Sequence, residues 1–178
     1  MSHTHHIDRP DGTRIAYSVS GAAQATPLIL SNSLATDARM WEKVLPELQA
    51  KFRVITYDTR GHGQSVCAQA SPTLSDLADD LTAVMDAAGA SKALLAGVSL
   101  GGMTGMTLAL AHPERLLGLM ACNCRARINA EGIAGWDQRV ALFSSQGIEA
   151  LVNPTLERWF AADIRAHDRS EEHMSELQ

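Results

Sequence analysis

The sequence predicts an α/β fold, a mainly parallel sheet with helices on both faces. Three observations carry that expectation. Short apolar runs alternate along the chain with stretches of helical periodicity. The runs are apolar nearly throughout, as in strands covered on both faces. With 178 residues, 46 % of them hydrophobic, the chain is long enough for one domain with a sizeable core.

T-R-I-A-Y-S-V-S (13–20) follows Asp11-Gly12, a hairpin-turn dipeptide, and predicts an antiparallel strand near the start. P-L-I-L-S-N (27–32) is a second strand. Met40, Val44 and Leu48, four apart, predict a helical stretch from about Thr36. R-V-I-T-Y-D (53–58) is a third strand. Thr73 is a good N-cap with Asp76 three residues on. Leu74, Leu77, Leu81 and Val84 then form an apolar stripe, and Gly89 suits the helix stop. K-A-L-L-A-G-V (92–98) is a buried strand, residues 100–112 a helix ended by His112-Pro113, and L-L-G-L-M-A-C-N (116–123) another strand. After Cys124 the texture becomes helical. Trp136, Val140 and Phe143 have helical spacing. Asn153-Pro154 reads as an N-cap with a first-turn proline, before Leu156, Trp159 and Phe160. The expected organisation is a core over 1–124, a partial helical cap over 125–168 and a separate tail over 169–178.

Charge and cysteine content narrow the function classes. The formal net charge of -5 gives no reason to expect nucleic acid or an anionic membrane as partner. Cys67, Cys122 and Cys124 lack disulfide-framework or metal spacing, and read as reduced thiols of a cytoplasmic protein. The opening M-S-H-T-H-H-I-D-R-P has no apolar core of the kind a secretory signal needs. No run is long and apolar enough to span a bilayer. His3, His5 and His6 are expected in a frayed start rather than a metal site.

Three stretches carry chemistry. A-G-V-S-L-G-G (96–102) places Ser99 in a G-x-S-x-G frame. By chance that frame occurs in about one chain of this length in twenty. Here it ends a strand and opens a helix, the context a strained nucleophile turn requires. The turn needs tiny residues two before and two after, hence Gly97 and Gly101. Gly102 and Gly105 would let the helix approach the strands. L-I-L-S-N-S-L (28–34) supplies the loop beside it. An oxyanion needs two backbone N–H donors, and Leu100 and Leu34 are the candidates, with Asn32 and Ser33 shaping the loop. D-T-R-G-H-G-Q-S (58–65) is a tight loop in which Asp58 and Arg60 are expected to pair. His62, flanked by glycines, is expected to be solvated or structural rather than a base.

Together these stretches resemble the α/β-hydrolase fold family over most of the chain. L-S-N-S-L-A-T-D-A-R-M-W, Y-D-T-R-G-H-G-Q-S and G-V-S-L-G-G-M are most similar to 3-oxoadipate enol-lactonases, whose S-N-S-L stands where most α/β-hydrolases carry His-Gly. L-E-R-W-F (156–160) is similar to the cap segment of that group. Ala35 departs from it, standing in place of a usual glycine. The resemblance implies hydrolysis of a lactone or ester by acyl transfer through Ser99, in aromatic breakdown by way of 3-oxoadipate, with no metal or organic cofactor. Trp136 is the candidate substrate-lining residue, with core packing as its ordinary alternative. Other small-molecule hydrolases of this fold (an esterase, a haloperoxidase-like enzyme, a carbon-carbon bond hydrolase) share the same core, and so does a non-catalytic binding protein. The retained Ser99 with both glycines speaks against the last.

In this fold the acid and the histidine follow the serine, on late strand-to-helix loops. After Ser99 one more strand is evident, and it ends in Asn123. Glu131, Asp137, Glu149, Glu157, Asp163 and Asp168 fall in the helical segment, His112 ends the helix after Ser99, and His167 and His173 lie in the polar tail. The triad acid and histidine are therefore expected to be absent from the chain, with late strands missing. R-S-E-E-H-M-S-E-L-Q (169–178) is similar to R-S-E-E-H-T-S-E-L-Q, the translation of a common sequencing adapter, departing only at Met174. The expectation is a reading frame broken within the cap, leaving Leu117, Leu119 and Met120 on an apolar edge strand and the chain poorly soluble.

Overall fold

The computed structural model describes residues 3–167. The strands are β1 (Thr4–Asp8), β2 (Arg14–Ser20), β3 (Pro27–Ser31), β4 (Arg53–Tyr57), β5 (Ala93–Val98) and β6 (Leu116–Cys122). The helices are α1 (Leu45–Gln49), α2 (Leu74–Ala87), α3 (Leu100–Ala111), α4 (Ala130–Gln146), α5 (Val152–Trp159) and α6 (Ala162–His167). The strands form one sheet in the order β1-β2-β4-β3-β5-β6. β1 and β2 pair antiparallel, as do β2 and β4, while β4, β3, β5 and β6 run parallel. The mainly parallel sheet expected from the alternating pattern is present.

Strand alternation divides the core into two layers. Ile15, Ile29, Ile55, Tyr57 and Leu95 face α2 and α3, against Leu81, Val84, Met85 and Leu108. Leu28, Leu30, Val54 and Ala96 face the opposite way, against Trp41, Leu45 and Leu48 of the α1 region. α2 starts at a reciprocal cap: Thr73 Oγ1 accepts the Asp76 amide and the Asp76 carboxylate accepts the Thr73 amide at 2.7 Å. The chain divides into two compact units between Ala126 and Arg127. The first holds the sheet, and α4 to α6 belong to the second.

Several expectations are corrected. The start is not frayed over its histidines: His5 and His6 lie in β1, and the His5 ring sits 5.3 Å from that of Tyr17. Pairing to β2 supplies the backbone hydrogen bonds that a free terminus lacks. The helical stretch from Thr36 is broken into a 3-10 turn at Ala38–Trp41 and the short α1, because Pro46 has no amide to continue a helix. Leu74 sits in the first turn of α2 and stays exposed, outside the buried stripe. Asn153 does not cap a helix: α5 starts at Val152, led in by a 3-10 turn at Ile148–Leu151. On β6, Leu119 packs against the core while Leu117 and Met120 are exposed. Asp168, His173, the tail over 169–178 and the side chain of His167 lie outside the described residues.

Candidate active site

Ser99 sits where β5 hands over to α3, with φ 53° and ψ -110°. An L residue seldom adopts this conformation, which costs about 1–3 kcal/mol. Its surroundings fix it there. The Ser99 amide donates to the Cys122 carbonyl at 2.9 Å, and the Ser99 carbonyl accepts the Met103 amide at 3.0 Å. A Cβ on Gly97 would run into the backbone of Gly101, and one on Gly101 into the Ser31 carbonyl. A Cβ on Gly102 would lie 2.7 Å from Cys124 Sγ, and one on Gly105 would clash with Leu95. The glycines thus let α3 lie against the strands and let the chain turn sharply at Ser99, which is half-buried. The Ser99 hydroxyl makes no capping bond to α3.

The loop after β3 is built against this turn. The Gly101 amide donates to the Asn32 carbonyl at 2.9 Å. Asn32 is fully buried; its Nδ2 donates to the Tyr57 carbonyl at 2.8 Å and its Oδ1 accepts Trp41 Nε1 at 2.8 Å. Ser31 Oγ and the Tyr57 hydroxyl lie 2.7 Å apart. Burial pushes that phenol up to about 12, the Ser31 hydrogen bond partly opposing the shift. Beyond Asn32 the chain turns sharply: Thr36 Oγ1 donates to the Ser33 carbonyl at 2.8 Å, and Ala35 has φ 60°. Among the described residues neither the Leu34 nor the Leu100 amide donates a backbone hydrogen bond. Two free amides therefore stand on the two segments that the Gly101–Asn32 bond joins.

The loop after β4 braces the first. Asp58 does not pair with Arg60. Its carboxylate accepts the Ala38 and Gln64 amides, both at 2.9 Å. A Cβ on Gly63, at φ 52°, would overlap that carboxylate. Arg60 instead meets Asp80 through two hydrogen bonds, of 2.6 and 2.8 Å, with Asp11 as a third contact at 3.0 Å. The Asp80 hydrogen bond is the main reason the guanidinium is held more firmly protonated than usual. The reason for the exchange is burial: Asp80 is 2 % exposed and needs a full partner. Sequence reasoning missed Asp80. The signal was a carboxylate inside the apolar stripe of Leu77, Leu81 and Val84.

The histidines of the described core do not offer a free base. His62 Nε2 accepts the Ala35 amide at 3.1 Å, and its Nδ1 lies 3.2 Å from the Arg60 carbonyl. One nitrogen accepts and the other donates, leaving no lone pair for a serine hydroxyl. His112 caps the far end of α3, with Nδ1 3.3 Å from Glu114. Eleven residues of helix rise, roughly 16 Å, separate the start of α3 from that end. His5 and His6 lie on the edge strand β1. Trp136 is in the second unit, on α4, 42 % exposed, with the Arg139 guanidinium 4.6 Å over its ring. Among the described residues there is no cluster of three His, Cys, Asp or Glu side chains that could hold a metal ion. No described helix is long and apolar enough to cross a membrane.

Residues 26–147 match the family described as alpha/beta hydrolase fold. The chain is 35 % identical over 159 residues to 3-oxoadipate enol-lactonase 1 of Acinetobacter baylyi, covering 89 % of this chain and 59 % of that protein. It is 36 % identical over 138 residues to a Variovorax paradoxus protein named for carbamate hydrolysis, RutD, covering 76 % and 52 %. Among solved structures, the enol-lactonase from Burkholderia xenovorans LB400 aligns with a TM-score of 0.86 at 34 % identity, covering 97 % of this chain and 65 % of that one. The chain thus spans between half and two thirds of the length of these three proteins.

Proposed function

The chain belongs to the α/β-hydrolase fold family, and from that premise we propose that it carries the nucleophilic half of a serine hydrolase of the enol-lactonase type. Ser99 is the nucleophile. Its hydroxyl attacks the carbonyl of a small lactone or ester, and the Leu34 and Leu100 amides stabilise the oxyanion that forms. The base supplied from elsewhere takes the Ser99 proton and delivers it to the ring oxygen as the C–O bond breaks. That oxygen stays on the opened acyl chain, and water, giving up a proton to the same base, releases the acid and restores the Ser99 hydroxyl. Opening a lactone needs no redox group, since every step is acyl transfer between oxygens.

The observation that carries this reading is the backbone of Ser99, held at φ 53° between a strand and a helix. Strain of this kind is held at a serine whose hydroxyl makes no capping bond, between glycines that admit no Cβ, which supports a use for that hydroxyl other than capping. The triad acid and histidine are assigned to residues other than the described ones, because among these both nitrogens of His62 are engaged and His112 lies at the far end of α3. Without its base a serine site loses on the order of 10⁶-fold in kcat in a measured protease. The helical segment over 125–168 is read, from its likeness in sequence, as the start of a cap, and Trp136 belongs to that segment. A cytoplasmic setting fits three unpaired thiols.

The likeness to the RutD protein supports a second substrate, a carbamate, through the same acyl transfer. The test is a fusion of residues 1–167 to the C-terminal part of the Acinetobacter enol-lactonase that this chain does not cover. Enol-lactone, carbamate and aryl ester are offered in parallel. We expect turnover, highest with the enol-lactone, and a loss of at least about 10³-fold in Ser99→Ala. Equal turnover by Ser99→Ala and its parent overturns the assignment, and preference for the carbamate moves it to the second substrate.

A further inference from the structure

The mechanism leaves one half-buried titratable group at the site unused: His62. Its position is determined by two contacts. Nδ1 lies 3.2 Å from the Arg60 carbonyl, an acceptor only, so Nδ1 carries the ring proton. Nε2 is then a bare lone pair, and it accepts the Ala35 amide at 3.1 Å. Ala35 is the residue at φ 60° in the turn that carries Leu34. Alanine disfavours that conformation where glycine would not. The Thr36–Ser33 bond holds it from within the turn, and the Ala35–His62 bond from outside.

We propose that His62 is the positioning residue of the oxyanion loop: neutral, it accepts the Ala35 amide and holds the turn presenting the Leu34 amide, and protonated, it releases that turn. The sign follows from donor counting. A protonated ring has N–H on both nitrogens, so Nε2–H faces Ala35 N–H and the hydrogen bond is lost. The proposal rests on Leu34 being the oxyanion donor. The charged groups on the surrounding elements are Asp37, Arg39, Asp58 and Arg60. Asp37 is paired with Arg39 at 2.9 Å, Asp58 is occupied by the Ala38 and Gln64 amides, and the Arg60 guanidinium is turned to Asp80 and Asp11. None of the four is hydrogen-bonded to the ring through its side chain among the described residues, so protonation of His62 itself is the switch.

Amide exchange of the 178-residue chain, read by mass spectrometry with residue-resolving fragmentation, tests this at micromolar concentration. The Ala35 protection factor, corrected for intrinsic rates, is followed against pH. The slow C2–H exchange of His62 gives the titration of its ring in the same sample. We expect Ala35 protection to fall about fivefold, the factor corresponding to one ordinary hydrogen bond, with the same midpoint as the ring. His62→Gln, whose side-chain carbonyl can accept the amide, should retain the protection and lose its pH dependence. His62→Leu should lose the protection at every pH. Protection that ignores the ring's titration in the unsubstituted chain overturns the proposal, as does full protection in His62→Leu. Because the wild-type titration suffices, a variant that fails to fold leaves the test intact. The readout does not involve Ser99 turnover, so failure of this proposal and failure of the hydrolase reading are separable.

Discussion

Ala35 and Tyr57 show how single residues set the geometry around Ser99. Ala35 holds a left-handed backbone, which costs an alanine about 1–2 kcal/mol. Glycine removes that strain but gains freedom in the unfolded chain worth under about 1 kcal/mol. Ala35→Gly is therefore expected to be neutral to about 1 kcal/mol more stable in urea titration. Ala35→Val, branched at Cβ, should be less stable by at least about 1 kcal/mol. Tyr57 tests burial. Its phenol is pushed from 10.0 to about 12, so the folded chain holds that proton more tightly than the unfolded chain. The resulting stability is fully present below pH 10 and is lost as pH rises through about 12, on the order of 3 kcal/mol in all. Urea titrations between those pH values should show a steeper decline in the parent than in Tyr57→Phe. Equal slopes would mean that the ring is not buried as described.

Caps and close contacts decide the behaviour of whole elements. α2 carries Asp80, the buried partner of Arg60, so loosening its start also loosens the loop after β4. Thr73→Ala removes one side of the cap and should cost about 1 kcal/mol by chemical denaturation. Asp76 is held below the usual carboxylate range, mainly by the Thr73 hydroxyl. The cap's contribution is therefore present above the ordinary aspartate pKa and lost as pH falls below it. α3 is set by contact instead of capping. Gly101→Ala would drive a methyl group into the Ser31 carbonyl and displace either the elbow or the oxyanion loop. A loss of at least about 2 kcal/mol is expected. A variant as stable as its parent would show that β3 and α3 are not in the contact described.

At the scale of the molecule, the order of strands and helices was legible because short apolar runs and stretches of period 3.6 alternate from residue 13 to residue 123. The elbow was legible because Gly97 and Gly101 are sequence-visible consequences of a steric demand. What was not legible depended on contacts between segments distant in sequence. β1 is a strand only because β2 receives it, and Arg60 chooses Asp80 over Asp58 only because α2 lies against that loop. The Ala35–His62 bond joins residues 27 apart. The open side of β6 has a consequence for the whole chain. Leu117 and Met120 are 53 % and 59 % exposed on an edge strand without a charge. Light scattering should show concentration-dependent association, reduced by Met120→Lys. The central claim of the proposal is that Ser99 is a nucleophile whose base is not among the described residues. The most direct measurement is reaction with a fluorophosphonate, followed by mass spectrometry of the peptide containing Ser99, in the 178-residue chain and in the fusion. We predict phosphonylation at Ser99 in the fusion, at least about 10³-fold slower in the chain alone and absent from Ser99→Ala. Labelling of another residue, or equal rates in chain and fusion, would contradict the account.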